Sequence, residues 1–279
     1  MRLSLYAFVL ALLCAGCFPS RAPERLRQYC SVKEALEDKQ NARFVNLSNS
    51  DITELPIVDL EQLPILAKLS MRKTSVSVLP PEIANLQNLQ WLDAGEAKLD
   101  SLPPDMGKLV KLEYLYLNDN QFSSIPAEIG DLSSLKYLNL DRNKLTSLPK
   151  DIGRLKKLKW LRLNANQLSS IPSEMGRLTN LERLYLAGNS LKDLPTEIGQ
   201  LSNLSDLILT GNSFGVLPSG VLCLPKLRHL DLGGNKLSSL PADIGKLKKL
   251  QWLRLEGNNI PDDERSRLAA ALPDCLIIY

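Results

Sequence analysis

The residues of this 279-residue chain whose types and spacing could support chemistry are mostly aromatic. Trp91, Tyr114, Tyr137 and Trp160 follow one another at intervals of 23 residues. If the chain folds into coils of that length, the four rings lie side by side on one surface. Exposed rings on a rigid surface favour protein recognition, because they bury a large area at a small entropic cost, and sugars also stack on them. The pattern therefore indicates binding.

Residues for catalysis or for a cofactor are scarce. His229 is the single histidine, which excludes a histidine cluster for a metal. His229 and Asp231 alternate on one predicted strand, but the repeat places no serine or cysteine nucleophile beside them. The sequence also lacks a glycine-rich phosphate loop, zinc-ligand spacing and a calcium loop. We therefore predict a protein that is not an enzyme and that holds no metal and no cofactor.

The charge balance gives little support for a polyanionic partner. The chain has 34 basic and 31 acidic side chains, and a net charge of +3 is too small to indicate nucleic acid. The lysines of the segments GRLKKLKW and GKLKKLQW fall between leucines, where a solvated outer face is expected rather than a nucleic-acid or lipid-headgroup site. Arg162 and Arg183 share their predicted columns with aspartates, so no strip follows a phosphate backbone. No nucleic-acid partner is predicted.

The first seventeen residues, MRLSLYAFVLALLCAGC, differ in kind from the rest of the chain. A positive charge near the start is followed by an apolar run of eleven residues, too short for a membrane span of about 20 residues. This pattern predicts an export signal peptide over residues 1–16. Two small residues then precede Cys17.

The segment that ends at Cys17 resembles the bacterial lipobox, with Cys14 where that motif usually has leucine. The resemblance implies cleavage before Cys17, lipidation of Cys17, and a linker that completes residues 17–30. It also implies a protein of the bacterial cell envelope that a lipid holds to the membrane. The lack of aspartate after Cys17 favours the outer membrane, with the domain facing the periplasm. An ordinary secretory signal cut near the same place is the alternative.

Three more cysteines follow Cys17: Cys30, which ends the predicted linker, and Cys223 and Cys275 in the rest of the chain. An odd number without short spacings does not fit a disulfide framework. We predict that the three are buried small apolar residues.

A constant period organises most of the chain. The leading leucines of successive units lie 23 residues apart, at 66, 89, 112, 135, 158, 181, 204, 227 and 250. After Leu135, Leu138 and Leu140 alternate with polar residues, which predicts a short strand with one face inward. Pro149 opens a brief helical turn, because proline has a fixed φ and lacks the N–H that a first turn leaves unpaired. Gly153 is expected to end that turn with a positive φ.

Asparagine occupies one phase of this repeat, at 120, 143, 166, 189, 212, 235 and 258. A side-chain amide has donors and an acceptor, so it can satisfy main-chain groups that a tight bend would otherwise bury unpaired. The asparagines therefore predict a hydrogen-bonded spine. Earlier units have Ser50, Thr74 and Ala97 at this position, so we expect the N-terminal third to be less regular.

The unit LxxLxLxxNxLxxLPxxIGxLxx resembles the 23-residue leucine-rich repeat of the LPxxIG subtype, over about residues 42 to 260. The resemblance implies an α/β solenoid, which is a right-handed leucine-rich repeat horseshoe of about ten repeats. Its parallel β-sheet is concave, short helical turns lie on the convex side, and helical caps cover both ends. The predicted domains are an N-terminal cap at 31–43, the repeat domain at 44–260 and a C-terminal cap at 261–279.

Both caps have helix signals. Ser31 and Glu34 resemble a capping box at the start of a helix. A second helix is expected from Asp262 to Leu272, with Leu268, Ala269 and Leu272 on its buried face, before Pro273 ends it and a last strand follows.

The concave face is the predicted binding surface. Residues two after each leading leucine point outward there, and every tryptophan of the chain is among them. The predicted ligand-binding residues are Trp91, Tyr114, Tyr116, Tyr137, Trp160, Arg162, Arg183 and Tyr185. We predict a non-enzymatic lipoprotein that binds a protein or peptide partner through this face. The alternatives are an envelope scaffold that recognises glycan or peptidoglycan, and aromatic residues copied by duplication without a binding role.

Overall fold

A computed structural model describes residues 27–279. The predicted signal peptide at 1–16 and the predicted lipidation site Cys17 lie outside the described residues. The described chain forms one parallel sheet whose twelve strands are ordered as in the sequence. The strands are β1 (Gln28–Tyr29), β2 (Phe44–Asn46), β3 (Lys68–Ser70), β4 (Trp91–Asp93), β5 (Tyr114–Tyr116), β6 (Tyr137–Asn139), β7 (Trp160–Arg162), β8 (Arg183–Tyr185), β9 (Asp206–Ile208), β10 (His229–Asp231), β11 (Trp252–Arg254) and β12 (Leu276–Ile278).

Alternation along each three-residue strand separates the core from the concave surface. Leu138, in the middle of β6, is fully buried, whereas Tyr137 and Asn139 on either side are half-buried. Neighbouring strands pair without any shift, so Tyr137 lies beside Trp160 and Leu138 beside Leu161. The leucines of successive coils thus meet in one continuous core, and first and third strand residues form two outward columns. The predicted ten repeats are confirmed by β2 to β11.

The opposite side of eight of the ten coils is a short 3₁₀ helix that follows a proline. Pro149 directly precedes the turn at Lys150–Arg154 in an extended conformation, and Ile152 within the turn is fully buried. These turns pack on one another in register with the strands. They are Pro81–Asn85, Pro104–Lys108, Ala127–Asp131, Lys150–Arg154, Ser173–Arg177, Thr196–Gln200, Ser219–Cys223 and Ile244–Lys246.

Six of these eight turns have a glycine before their last residue, and it does not have the predicted role. Gly153 does not have a positive φ. A Cβ there would collide with the main-chain oxygen of Glu174 in the next coil, so glycine is required by close packing between turns. The positive φ values occur one residue before the asparagine column, for example at Arg142 and Gly188.

The asparagine spine is confirmed. The Asn143 amide donates to the main-chain oxygens of Leu117 and Leu140 at 3.0 and 3.1 Å, and its oxygen accepts from the N–H of Phe122 at 3.2 Å. Each such amide therefore joins two coils. In the early coil of β3, Thr74 replaces it and its hydroxyl reaches only the Met71 oxygen, at 2.8 Å. The N-terminal coils consequently have fewer hydrogen bonds between them.

At the N-terminal end the sheet starts before the predicted cap boundary at residue 31, because β1 pairs with β2. Helix α1 (Val32–Glu37) follows, and the Ser31 hydroxyl accepts from the N–H of Glu34 at 3.1 Å. The Glu34 carboxylate accepts from the N–H of Cys30 at 3.1 Å, one residue before the position that a capping box predicts. A one-turn helix, α2 (Ile57–Leu60), replaces the 3₁₀ turn of the first coil.

At the C-terminal end helix α3 (Asp262–Ala271) covers the last coil, and β12 pairs with β11. Leu268 and Leu272 are buried as predicted, but Ala269 is exposed. Glu264 is buried instead and accepts from the N–H of Leu240 at 2.8 Å. The sequence pattern missed this carboxylate because it satisfies a main-chain group of another coil. Within residues 27–279, no helix combines the length and apolar character needed to cross a membrane.

The prediction of buried cysteines is wrong. Cys30 and Cys223 are exposed and Cys275 is half-buried, and all three are free. In the turn Ser219–Cys223, Val221 supplies the buried side chain, so Cys223 at its end points to solvent.

Candidate functional site

The predicted binding residues lie where the repeat places them, on the outward columns of the concave face. Trp91, Tyr114, Tyr137 and Trp160 begin four successive strands, and their side chains are half-buried. Tyr116 and Tyr185 lie in the second column, at the ends of β5 and β8. Each of these residues is next to a fully buried leucine in the middle of its strand, so its own side chain is on the opposite, outward side of the sheet.

Five rings form a continuous stack that we call the aromatic strip: Phe44, Trp91, Tyr116, Tyr137 and Trp160. Successive centroids are 5.9, 5.6, 4.8 and 5.8 Å apart. These separations lie within the range at which aromatic pairs attract one another. The strip extends over six strands, from β2 to β7.

The composition of the strip differs from the prediction at two positions. The stack passes from Trp91 to Tyr137 through Tyr116, and Tyr114 makes no ring contact with another aromatic residue among those described. Phe44 belongs to the strip although it was not among the predicted site residues. Its place in the first column was the signal that could have identified it.

Arginines adjoin the strip at its C-terminal end. The guanidinium of Arg183 lies over the Trp160 ring, 4.6 Å from the centroid, and that of Arg162 lies over Tyr185 at 5.1 Å. Arg162 also donates from Nε to Asp141 at 2.6 Å. The predicted residues Arg162, Arg183 and Tyr185 are therefore brought together with Trp160.

The concave face is electrically balanced. Four positions of each coil face outward here, and in the coil of β6 they are residues 137, 139, 141 and 142. Over the ten coils of β2 to β11, these positions carry seven basic and seven acidic residues. The basic residues are Lys68, Arg72, Lys73, Arg142, Arg162, Arg183 and Arg254, and the acidic ones are Asp93, Glu96, Asp119, Asp141, Asp206, Asp231 and Glu256. A surface of this kind has no excess positive charge for following a phosphate backbone.

The lysines of the segment GRLKKLKW lie off this face, as predicted. Lys156 and Lys157 are exposed, and Lys159 pairs with Glu182 of the next coil at 2.9 Å. Their surroundings are those of a solvated surface.

Tyr116, Tyr137 and Tyr185 stay neutral on this face. Burial raises the pKa of Tyr137 far above its usual value, and nearby Arg162 only partly opposes that shift. Burial likewise raises the pKa of Tyr116 and Tyr185. These side chains therefore present rings and hydroxyl groups to a partner, and not charges.

His229 forms a hydrogen-bonded pair with Asp206. Its Nδ1 lies 2.7 Å from Asp206 Oδ1 on the neighbouring strand, while the ring packs against Trp252 with centroids 6.4 Å apart. Burial raises the pKa of Asp206, but the hydrogen bonds from His229 and Ser205 outweigh it and hold the value below the usual range. Among residues 27–279, no group of three or more histidine, cysteine or acidic side chains could hold a metal ion.

Comparisons with known families agree with this architecture. A model described as a leucine-rich repeat region matches residues 26–136, 94–189 and 124–211, and a second leucine-rich repeat model matches 202–260. The chain belongs to the leucine-rich repeat family. No curated protein matches this leucine-rich repeat protein at a significant level.

Solved structures with the same fold include receptor ectodomains of Arabidopsis. The ectodomain of GASSHO1/SCHENGEN3, in complex with Casparian strip integrity factor 2, is 27% identical over 84% of this chain and 31% of its own, with a TM-score of 0.65. The receptor kinase HAESA, in complex with the peptide hormone IDA and a co-receptor, is 30% identical over 78% of this chain and 40% of its own, with a TM-score of 0.67. InlJ of Listeria monocytogenes has the same fold, at 24% identity over 85% and 48% and a TM-score of 0.69. This leucine-rich repeat protein spans less than half the length of each.

Proposed function

We propose that this leucine-rich repeat protein is a non-enzymatic binding module that takes a protein or peptide partner on its aromatic strip. The continuous stack of half-buried rings on an electrically balanced face carries this proposal. Rigid aromatic side chains are the residues that most often dominate the energy of protein interfaces. The plant ectodomains described above support it, since one is complexed with Casparian strip integrity factor 2 and the other with a peptide hormone.

The geometry of the rings favours a protein over a glycan. Trp91 and Trp160 meet their neighbours at interplanar angles of 54–79°, so ring faces are used within the strip itself. Arg183 lies over Trp160 and occupies a further face. A sugar needs an open ring face to stack on, whereas a protein partner can pack apolar side chains against the edges and gaps of the strip.

We further propose that Cys17 carries a lipid that anchors the protein in the bacterial cell envelope, in the outer membrane and facing the periplasm. This proposal rests on the leader MRLSLYAFVLALLCAGC. We also propose that the repeats belong to the 23-residue LPxxIG subtype, which their recurring proline and glycine support. An anchor at Cys17 would keep the concave face close to the membrane, because the linker has few residues.

Capture of partners by the purified protein tests the binding proposal. The bait is compared with a variant in which Trp91, Tyr137 and Trp160 are replaced by alanine. Trp252→Ala is the matched control, because Trp252 lies on the same face but outside the strip. We expect the triple variant to lose captured proteins that the control retains. Equal capture by all three baits would refute the proposal, and strip-dependent retention on isolated cell wall alone would favour the glycan alternative.

Fractionation of cells tests the anchor. Cys17→Ser should move the protein from the membrane fraction to the soluble fraction, whereas Cys14→Ser, three residues earlier, should leave it in the membrane. Unchanged membrane retention of Cys17→Ser would eliminate the lipid anchor without affecting the binding proposal.

A further inference from the structure

Two cationic side chains lie at opposite ends of the aromatic strip. Lys68 begins β3, between the strands of Phe44 and Trp91. Arg183 begins β8, directly after the strand of Trp160. Both occupy the first outward column, and both are half-buried.

These two differ from the other basic residues of the concave face. The other five each have a carboxylate oxygen at 3.4 Å or closer. Arg162 pairs with Asp141, and Lys73 with Glu96 at 3.4 Å. The remaining pairs are Arg72 with Glu96, Arg142 with Asp119 and Arg254 with Glu256. Five cations are therefore neutralised within the face.

Arg183 has no such partner. The Asp206 oxygen nearest its Nε is 3.8 Å away, beyond hydrogen-bond distance. The Asp206 carboxylate is already engaged, because Oδ1 faces His229 at 2.7 Å and Oδ2 accepts from the Ser205 hydroxyl. The Arg183 guanidinium therefore makes no short contact with a carboxylate among residues 27–279, and it lies over the Trp160 ring at 4.6 Å from the centroid.

Lys68 is also uncommitted. Its main-chain N–H donates to the Arg43 oxygen at 2.9 Å, but its ammonium makes no ion pair or hydrogen bond with any residue from 27 to 279. Both cationic groups thus lack the close carboxylate oxygen that the other five basic residues of the face have. A ligand with negative groups would supply what both side chains lack.

We infer that the partner presents an extended, apolar segment with a carboxylate near each end, one for Lys68 and one for Arg183. This inference rests on the proposed binding function and specifies the class of ligand. Lys68 and Arg183 are five strands apart, which corresponds to roughly 24 Å at the usual strand spacing. An extended chain covers that distance in about seven residues. The two carboxylates are thus separated by six to eight positions, with apolar side chains between them on the strip.

The two ends contribute differently. Arg183 presents a planar fork of donors whose orientation is fixed by the ring beneath it, which suits two parallel hydrogen bonds to one carboxylate. Lys68 presents a compact charge on a flexible stem and tolerates a range of positions. The position of the carboxylate that binds Arg183 should therefore be the more strictly defined of the two. The flexible Lys68 side chain should allow the separation between the two carboxylates to vary.

Selection from a random library of displayed twelve-residue peptides on the immobilised purified protein tests the inference. We expect enriched sequences to carry two acidic residues six to eight positions apart around an apolar stretch. Synthetic copies of these peptides should bind Arg183→Gln and Lys68→Gln about tenfold more weakly, since each variant removes a charged hydrogen bond. Lys236→Gln, an exposed lysine outside the concave columns, should bind them with unchanged Kd.

The outcomes separate this inference from the proposed function. Peptides that need Trp91 and Trp160 but show no acidic pair would overturn the inference and leave the binding module standing. Acidic peptides that bind Arg183→Gln and Lys68→Gln as tightly as the unaltered protein would also overturn it. Selection that yields no peptide dependent on Trp91 and Trp160 would overturn both.

Discussion

The route of the aromatic stack predicts different stabilities for two neighbouring tyrosine variants. Tyr114 and Tyr116 are the first and last residues of β5, and both are half-buried on the concave face. Tyr116 lies 5.6 Å from the Trp91 ring and 4.8 Å from the Tyr137 ring, measured between centroids. Tyr114 has no aromatic neighbour within that range among the described residues. Alanine at each position therefore changes the same strand but removes different contacts.

The expected difference follows from the two ring pairs. An aromatic pair contributes about 0.5–1.5 kcal/mol beyond the area that it buries, so loss of both pairs lowers the free energy of unfolding by about 1–3 kcal/mol in Tyr116→Ala. The lower strand preference of alanine acts on both variants and cancels in the comparison. Tyr114→Ala should therefore be more stable than Tyr116→Ala by about 1–3 kcal/mol.

Equilibrium unfolding in urea, followed by circular dichroism, measures this difference. The comparison is valid where the two variants have equal m-values, because stacked coils can unfold in parts. Tyr116→Phe keeps the ring and removes only the hydroxyl, so it should remain close to the unaltered protein. Equal loss of stability in Tyr114→Ala and Tyr116→Ala, or a Tyr116→Phe variant as unstable as Tyr116→Ala, would refute the stacking argument.

Three further predictions concern the packing between coils and the C-terminal end. Gly107→Ala places a Cβ 2.6 Å from the main-chain oxygen of Glu128, so urea unfolding should show that the free energy of unfolding falls by about 1–3 kcal/mol. Gly215→Ala is the control, because a Cβ there meets nothing within 4 Å, and it should change the free energy of unfolding by less than about 0.5 kcal/mol. Asn143→Ala leaves the buried Phe122 N–H unpaired and should lower the free energy of unfolding by about 2 kcal/mol or more in the same measurement. Asn180→Ala, at an exposed asparagine, is the control, and equal stability of the two variants would contradict the role of the asparagine spine. The hydrogen bonds from Arg267 lower the pKa of Glu264, so its contribution is complete above the ordinary glutamate pKa of about 4.3 and is lost as the pH falls through the lower folded value. The stability difference between the unaltered protein and Glu264→Gln should therefore shrink between pH 6 and pH 3, and a difference that is constant over this interval would show that the carboxylate charge is not involved.

The fold could be predicted from the sequence because each coil repeats the same physical requirements. Leu138 and its equivalents must be inward if stacked coils are to share one core, and two-residue alternation then places Tyr137 outward. Asn143 could be assigned to main-chain hydrogen bonds because its amide has both donors and an acceptor. These inferences need only the phase of a residue within its own unit.

The errors concern contacts with a neighbouring coil. Gly153 was expected to relieve its own φ, but it is required by the Glu174 carbonyl of the next turn. Tyr114 and Tyr116 were both predicted site residues, but only Tyr116 contacts the neighbouring rings, because the direction of a ring depends on its rotamer and on the rings beside it. Glu264 is buried because the Leu240 N–H of another coil needs an acceptor. Repeat phase places each side chain on a face, and the identity of its neighbours then decides its contacts.

The same dependence on neighbours explains how a regular array acquires a distinct site. Arg162 and Arg183 belong to adjacent strands, and each has an aspartate in an adjacent coil. Asp141 lies just after the strand that precedes Arg162, and Asp206 lies on the strand that follows Arg183. Asp141 is almost completely buried and accepts from Arg162, whereas Asp206 faces His229 and its nearest oxygen lies 3.8 Å from Arg183 Nε, beyond hydrogen-bond distance. One histidine in a neighbouring coil therefore separates an arginine that supports the fold from one that is available to a ligand. Core packing fixes the recurring leucine, and main-chain contacts fix the asparagine and glycine where they recur, so we expect differences in binding among such proteins to arise from pairings of this kind on the concave face.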